Sequence, residues 1–453
     1  MPGTSLSRWT MGYFAAACVF LLVAEALLAA GYGYPAAAIE APQTLAVVHL
    51  VTAGWFGLLM SGALLQFVPV LVAKPLKGGG AALPALLAIV IGETGLVLGF
   101  VAIGGGAVFA APLLSFGASF LSLGYLTIGG IVGITLASAR PLALPARFVA
   151  LGLIALVVTL GLGATFALIL SGLLPPSWAG FLPVGLPLHV ALGLGGWLTV
   201  SAIGVSYKLL PMFLLSPDHA SAGARWVWLT GAAVIALLLV AVVLSIADGA
   251  GVTIIFGLAL LFTLVGLGFY SVDLLAIYRA RRRRKLELNS LASIAAFAAL
   301  FVGAVWMAVV AATGRLATDI APIVYLLGFG WLTGLGLAKL YKIVPFLTWL
   351  ECYGPVLGRV PTPRVQDLVS EPRARAWFLL FHAGVLIASI GLVLDRDLLF
   401  RAAVGLQLGV SLALVAEFLR TRRLMEIAPD KRLPGGAIRP NFFLPSLQPT
   451  RSR

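Results

Sequence analysis

The chain alternates long apolar runs with short polar breaks. The runs lie near residues 11–34, 45–73, 81–105, 107–138, 144–174, 181–214, 225–247, 251–278, 289–313, 320–349, 376–394 and 399–420. Each approaches or exceeds the roughly 20 apolar residues that cross a bilayer as a helix. None shows the period-2 alternation of a transmembrane barrel strand. The pattern predicts an all-α membrane protein of about twelve spans. Composition agrees: 61% of the 453 residues are hydrophobic and 10% are charged, more apolar surface than a water-soluble domain can hide. The first run follows Arg8 and ends in small residues ("LLAAGYG"), as a secretory leader would, but it is too long for one and is expected to stay as a helix.

The polar breaks predict the orientation. With the N-terminus cytoplasmic, Lys74, Lys77, Arg140, Arg147, Arg225, the run Arg279–Lys285, Arg359–Arg375 and the tail all fall on the inner side. The opposite loops keep only Arg315, Arg396 and Arg401 of the 30 Lys and Arg. Such a skew places both termini inside a plasma (bacterial inner) membrane and requires an even number of spans. The net charge of +14 then reflects loops facing anionic lipid, and "RARRRRKLE" is read as headgroup contact with no nucleic-acid partner. The two cysteines, Cys18 and Cys352, fall in a span and an inside loop, so no disulfide is expected.

Three spans are written alike: "GWFGLLMSGALLQFVPV" from Gly54, "GWLTVSAIGVSYKLLPM" from Gly196 and "GWLTGLGLAKLYKIVPF" from Gly330. In each, a Gly-Trp pair precedes a proline by the same interval: Trp55 to Pro69, Trp197 to Pro211, Trp331 to Pro345. These are spans two, six and ten, so the units hold four spans each and enter the membrane in one direction. The expected domain is one bundle over 1–423, with units near 1–138, 144–278 and 289–420 closing into a ring. Glycines on these helices allow close backbone approach in lipid. Gln66, Lys208 and Lys342 fall eleven residues after each Trp, near its azimuth and toward the inner end, and the proline marks a kink or stop. Residues 424–453 are expected to be a disordered cytoplasmic tail.

Few polar groups interrupt the spans. His49 and His189 open spans two and six near the outer face, and His382 lies in span eleven near the inner one. A buried imidazole needs a partner, and haem iron is one that bonds it strongly; the plain alternative is a bond to water or a carbonyl. His49 precedes its Trp by six residues and His189 by eight, which turns the second side chain by roughly 200° and bars strict equivalence unless the sixth span is distorted. Tyr325 takes the His49 position in the third unit. His219, in the loop "SPDHAS", is assigned no role. Among the carboxylates, Asp273 and Glu417 sit near the inner headgroups, whereas Glu25 and Glu93 are deeper, where a charge costs about 2.5–3.5 kcal/mol on insertion scales. Glu93, in "IGETG", is the leading candidate for a proton or solute path, with Glu25 beside it. No CxxC, HExxH, P-loop or GxSxG pattern occurs.

The span count, the three Gly-Trp helices and "LHVALGLGGWLTVSAIGVSYKLLPMF" resemble the catalytic subunit I of haem-copper oxidases and nitric oxide reductases. The resemblance implies the oxidase fold, and it implies that His49 matches a low-spin haem ligand and His189, loosely, a copper ligand. It also marks departures. Span seven lacks the copper-ligating histidines, and span ten has no histidine for either haem. Copper and an oxygen-reducing binuclear centre are therefore not expected. What the resemblance implies is a respiratory-type membrane protein binding one b-type haem through His49 and His189, with His382 and Tyr325 as lesser ligand candidates. Its roles would be electron transfer, nitric oxide handling or sensing, alongside an electron-transfer partner subunit. The haem-binding NnrS-type proteins share the span count, although their motifs are not visible here. Two other functions fit the residues: a cofactor-free transporter or channel for a small solute or metal past Glu93, His49 and His189, and an accessory or assembly subunit of a respiratory complex.

Overall fold

The computed structural model describes residues 7–217, 222–247, 250–435, 437–439 and 441–443; His219 lies outside them. Twelve of its helices are long and apolar enough to cross a membrane. They are α1 (Thr10–Ala29), α2 (Pro42–Val72), α3 (Gly79–Gly104), α4 (Ala110–Ala137), α5 (Leu144–Leu170), α6 (Pro176–Leu214), α7 (Ala222–Ala247), α8 (Val252–Arg279), α9 (Leu288–Ala312), α10 (Thr318–Val356), α11 (Glu371–Val393) and α12 (Asp397–Arg422). Helices dominate because lipid offers backbone groups no partner, so each span must close its own hydrogen bonds. Prolines in the first turns of α2, α5 and α11 start helices where no N–H partner is lost.

Burial separates the centre from the rim. The most apolar stretch of α10 is 78% buried and that of α2 67%, against 22% for α7 and α8. The Gly before each Trp is a close-approach point. A Cβ on Gly54 would strike Phe20 of α1, on Gly196 Ala155 of α5, and on Gly330 Ala299 of α9. The same position thus packs on the first helix of each four-span stretch. Seven residues after the Trp, Gly62 lies against Tyr13 and Phe14 of α1, and Gly204 against Phe148 of α5. The third helix has Ala338 there.

The three central helices share a feature that the sequence did not announce. Each passes into a π-helical stretch around its Trp: Leu50–Gly57 in α2, Ala191–Thr199 in α6 and Leu326–Thr333 in α10. These wide turns occur in helices otherwise closed by ordinary bonds, and such stretches are frequently found at functional sites. They also change the azimuths calculated for a regular helix.

The tryptophans interlock at the centre. Trp55 Nε1 donates to Thr333 Oγ1 at 3.0 Å, and Trp331 Nε1 to Thr199 Oγ1 at 3.3 Å. Each acceptor stands two residues after the Trp of its own helix. In α2 that position is Gly57, which has no hydroxyl, and Trp197 Nε1 is buried without a partner. Tyr125 of α4 fills the gap: its hydroxyl would meet a Cβ on Gly57, and its ring lies edge-on to Trp197 at 5.3 Å.

The helices continue differently after Pro69, Pro211 and Pro345. The first two stop within a turn, at left-handed Ala73 and Leu215, but α10 runs on to Tyr353 before a last 3-10 turn. Where it is described, the segment after α12 packs against the end of α10. Leu424 and Ile427 bury themselves with Cys352, Tyr353 and Leu368 in a small second core, and a short helix follows at Pro429–Arg432. Tyr353 donates to the Arg432 carbonyl at 2.7 Å, and Arg373 binds both Glu417 and Glu426. Pairing within the charged segment, unreadable from composition, offsets the ordering entropy.

Candidate functional site

Glu25 and Tyr325, distant in sequence, meet in one polar cluster. Glu25, on α1, has no exposed surface; Ser411 Oγ of α12 donates to its Oε1 at 3.0 Å, and its Oε2 is buried without a partner. One turn before Ser411, Gln407 Nε2 donates to the Tyr325 hydroxyl of α10 at 2.8 Å, while Gln407 Oε1 has no partner. Tyr325 lies within electrostatic reach of Glu25. Gln407 and Ser411 had not been singled out. Their signal is faint: two polar residues four apart in "QLGVS", on one face of an apolar helix.

Glu93 sits alone. It is midway along α3 with no exposed surface, and both carboxylate oxygens are buried without hydrogen-bond partners. Tyr125 lies within its electrostatic reach, with a hydroxyl that donates to the Ala53 carbonyl in the π-helical stretch of α2. Unpaired buried carboxylate oxygens are expensive and are kept where they face a functional route.

The histidines are held singly. His49 Nδ1 donates to the Leu45 carbonyl at 2.8 Å, and its ring rests 5.1 Å from Phe100 of α3. His189 Nδ1 donates to the Thr159 carbonyl of α5 at 3.0 Å, beside Gly163 and Phe166. His382 covers Gly334 of α10, and its Nε2 is buried without a partner. A proton held on Nδ1 leaves Nε2 as a lone pair, which is how ligating histidines are prepared.

Each candidate donor rests against a different neighbour. His49 faces α3, His189 faces α5, His382 faces α10, and the Tyr325 hydroxyl is engaged by Gln407. His49 and His189 are near enough to feel each other electrostatically, yet their rings are held against different helices. Gly163 and Gly334 are covered by the His189 and His382 imidazoles. Among the described residues no group of three or more His, Cys, Asp or Glu gathers around one point.

A half-buried lysine completes the polar groups of the bundle. Lys339 of α10 was not among the expected residues. Its Nζ donates to Ser293 Oγ of α9 at 2.9 Å and stands 5.8 Å from the Phe213 ring centre. Three residues on, Lys342 pairs with Glu287 at 2.7 Å, so one of the three residues eleven beyond a Trp closes an ion pair at the basic face. Asp273, read as a headgroup-level group, is only 4% exposed and accepts a hydrogen bond from Tyr207 at 2.8 Å.

Compared with known proteins, the sequence matches no family model and no curated protein. Solved structures do match, among them a haem-copper terminal oxidase dimer determined by cryo-EM, with a TM-score of 0.60 over 97% of this chain and 85% of that one. Identity is 13%, so the likeness carries the fold. A dozen membrane helices arranged in this way make the chain an integral membrane protein with the fold of haem-copper oxidase subunit I.

Proposed function

We propose that this protein passes protons through the bundle, using Glu93 and Glu25 as the exchanging groups. The observation that carries this reading is Glu93: a carboxyl group at mid-membrane depth, fully enclosed, with neither oxygen hydrogen-bonded. Burying such a group without partners costs stability that an alanine would not, and relay function is the usual reason for its presence inside a membrane. Glu25 supports it, because Ser411, Gln407 and Tyr325 supply hydroxyl and amide groups through which a proton can be handed on. The test is proton flux into proteoliposomes under an imposed potential, followed by an entrapped pH dye. Glu93→Gln and Glu25→Gln are each expected to lower flux at least tenfold; flux at the parent rate in both refutes the reading.

A second reading keeps a b-type haem on a single histidine. Its support is the Nδ1 bond of His49 and of His189, which leaves Nε2 available in both. Purified protein supplemented with haem is then expected to show a Soret band that His49→Ala or His189→Ala removes. A featureless spectrum removes this reading.

A further inference from the structure

The basic face holds a crevice at the inner ends of α9 and α10. Glu287, Lys342, Gln366 and Glu371 line its mouth, and Asn289 and Tyr341 line its floor. The floor is unusual. Asn289 is 2% exposed and Tyr341 4%, yet Asn289 Nδ2 and the Tyr341 hydroxyl have no partners, and neither does Ser290 Oγ nearby. Buried polar atoms in an apolar bundle are normally satisfied, by ordered water when not by protein. Two unsatisfied groups opening on one crevice, whose remaining wall is made by Pro345, Val365 and Val369, mark a place for water.

Beyond the floor the polar groups continue. Ser293 stands one turn past Asn289 on α9 and donates to its carbonyl at 2.7 Å. Ser293 also accepts from Lys339, which lies one turn deeper than Lys342 on α10, about 4.5 Å further from the mouth. Past Lys339 the surroundings are Ala296, Phe297 and the Phe213 ring, and the next polar group is the His382 imidazole, which lies beside Ala296 against Gly334. The line of polar groups thus begins at an open crevice and ends at an amine.

We propose that this crevice is the mouth of a water-lined path that carries protons between the basic face and Lys339. A proton moves from water at the Ser293 hydroxyl onto the lone pair of the amine, and returns to water when the ammonium releases it; no electrons are transferred. The proposal rests on the proton-handling reading for its purpose and gives that reading an access point. The path itself is testable separately.

With Cys18→Ala and Cys352→Ser as background, single cysteines at Asn289→Cys, Ser293→Cys and Ala296→Cys are reconstituted in vesicles. A small cationic methanethiosulfonate is added on the basic-face side, and labelling is followed by mass spectrometry. Ala296, fully buried one turn past Ser293 and beside the His382 ring, is the control beyond the end of the path. The path predicts labelling at 289 and 293 at least tenfold faster than at 296; equal rates at all three overturn it. In a second arm, Lys339→Arg keeps the positive charge but cannot release its proton. Flux in Lys339→Arg is expected to fall at least fivefold, as in Lys339→Met, while labelling at 293 persists. Labelling with unaltered flux in both lysine variants overturns the proton role of Lys339. Labelling and lysine dependence together, with flux indifferent to Glu93→Gln and Glu25→Gln, uphold the path and reject the carboxylate route.

Discussion

Gly57 occupies the place that Thr199 and Thr333 hold in the other central helices, and the difference is felt by Trp197 and Tyr125. Trp55 and Trp331 each find a threonine hydroxyl, whereas Trp197 finds none and Tyr125 takes the space. Adding a methyl at Gly57 forces the Tyr125 hydroxyl off the Ala53 carbonyl. Gly57→Ala is expected to destabilise the protein by about 1–3 kcal/mol, the usual cost of overpacking. Tyr125→Phe should restore part of it, read by thermal unfolding in detergent; no recovery in the double variant would show that the clash lies elsewhere. Thr333→Val removes only a hydrogen-bond acceptor. It should cost about 1 kcal/mol, or somewhat more because a buried indole N–H is left unpaired. The Gly-Trp pairs were legible in the sequence because a repeated interval needs no structure to be seen. The threonines two residues later were equally visible but carried no meaning until the helices faced one another.

At the scale of elements, helix existence followed from apolar length and the lack of period-2 alternation, because lipid permits only helices and closed barrels. The π-helical stretches did not follow. A π turn and an α turn accept the same apolar residues, and the choice is made by packing around Trp55, Trp197 and Trp331. The packing of the segment after α12 did not follow either: its Pro, Gly and charge are those of a solvated tail, and Leu424 and Ile427 pack with Cys352. Glu426 ties that segment down. Burial by itself raises its pKa, but hydrogen bonds from Arg373 and Arg420 outweigh this and hold it below the ordinary glutamate value. A carboxylate depressed in the folded state stabilises at neutral pH, and the gain fades as pH falls through its folded pKa, below about 4.3. Cys352 should therefore resist maleimide at neutral pH and gain reactivity in samples exposed briefly to pH below 4 and returned slowly to neutrality in the presence of reagent. Truncation after Arg423 should expose it at every pH. Protection that survives truncation would mean that α10 and the 357–370 loop shield the thiol without help.

For the whole molecule, the charge skew between loops predicts that the face with Arg279–Lys285 is cytoplasmic. A reporter joined after the last residue should be active only on the cytoplasmic side; activity on the other side inverts the direction assigned to every span and to the crevice above Lys339. Membrane residence, span number and the recurrence of three central helices were decided by the sequence alone, since each depends on local hydrophobicity or on spacing along the chain. Which polar groups meet was decided only by the tertiary structure. Glu25 and Tyr325 come together with Gln407 and Ser411, while His49, His189 and His382 are turned against different helices. The physical reason is that a side chain's direction depends on helix register and rotation. Those are set by close contacts such as Gly54 on Phe20 and Gly196 on Ala155, between residues far apart in the chain.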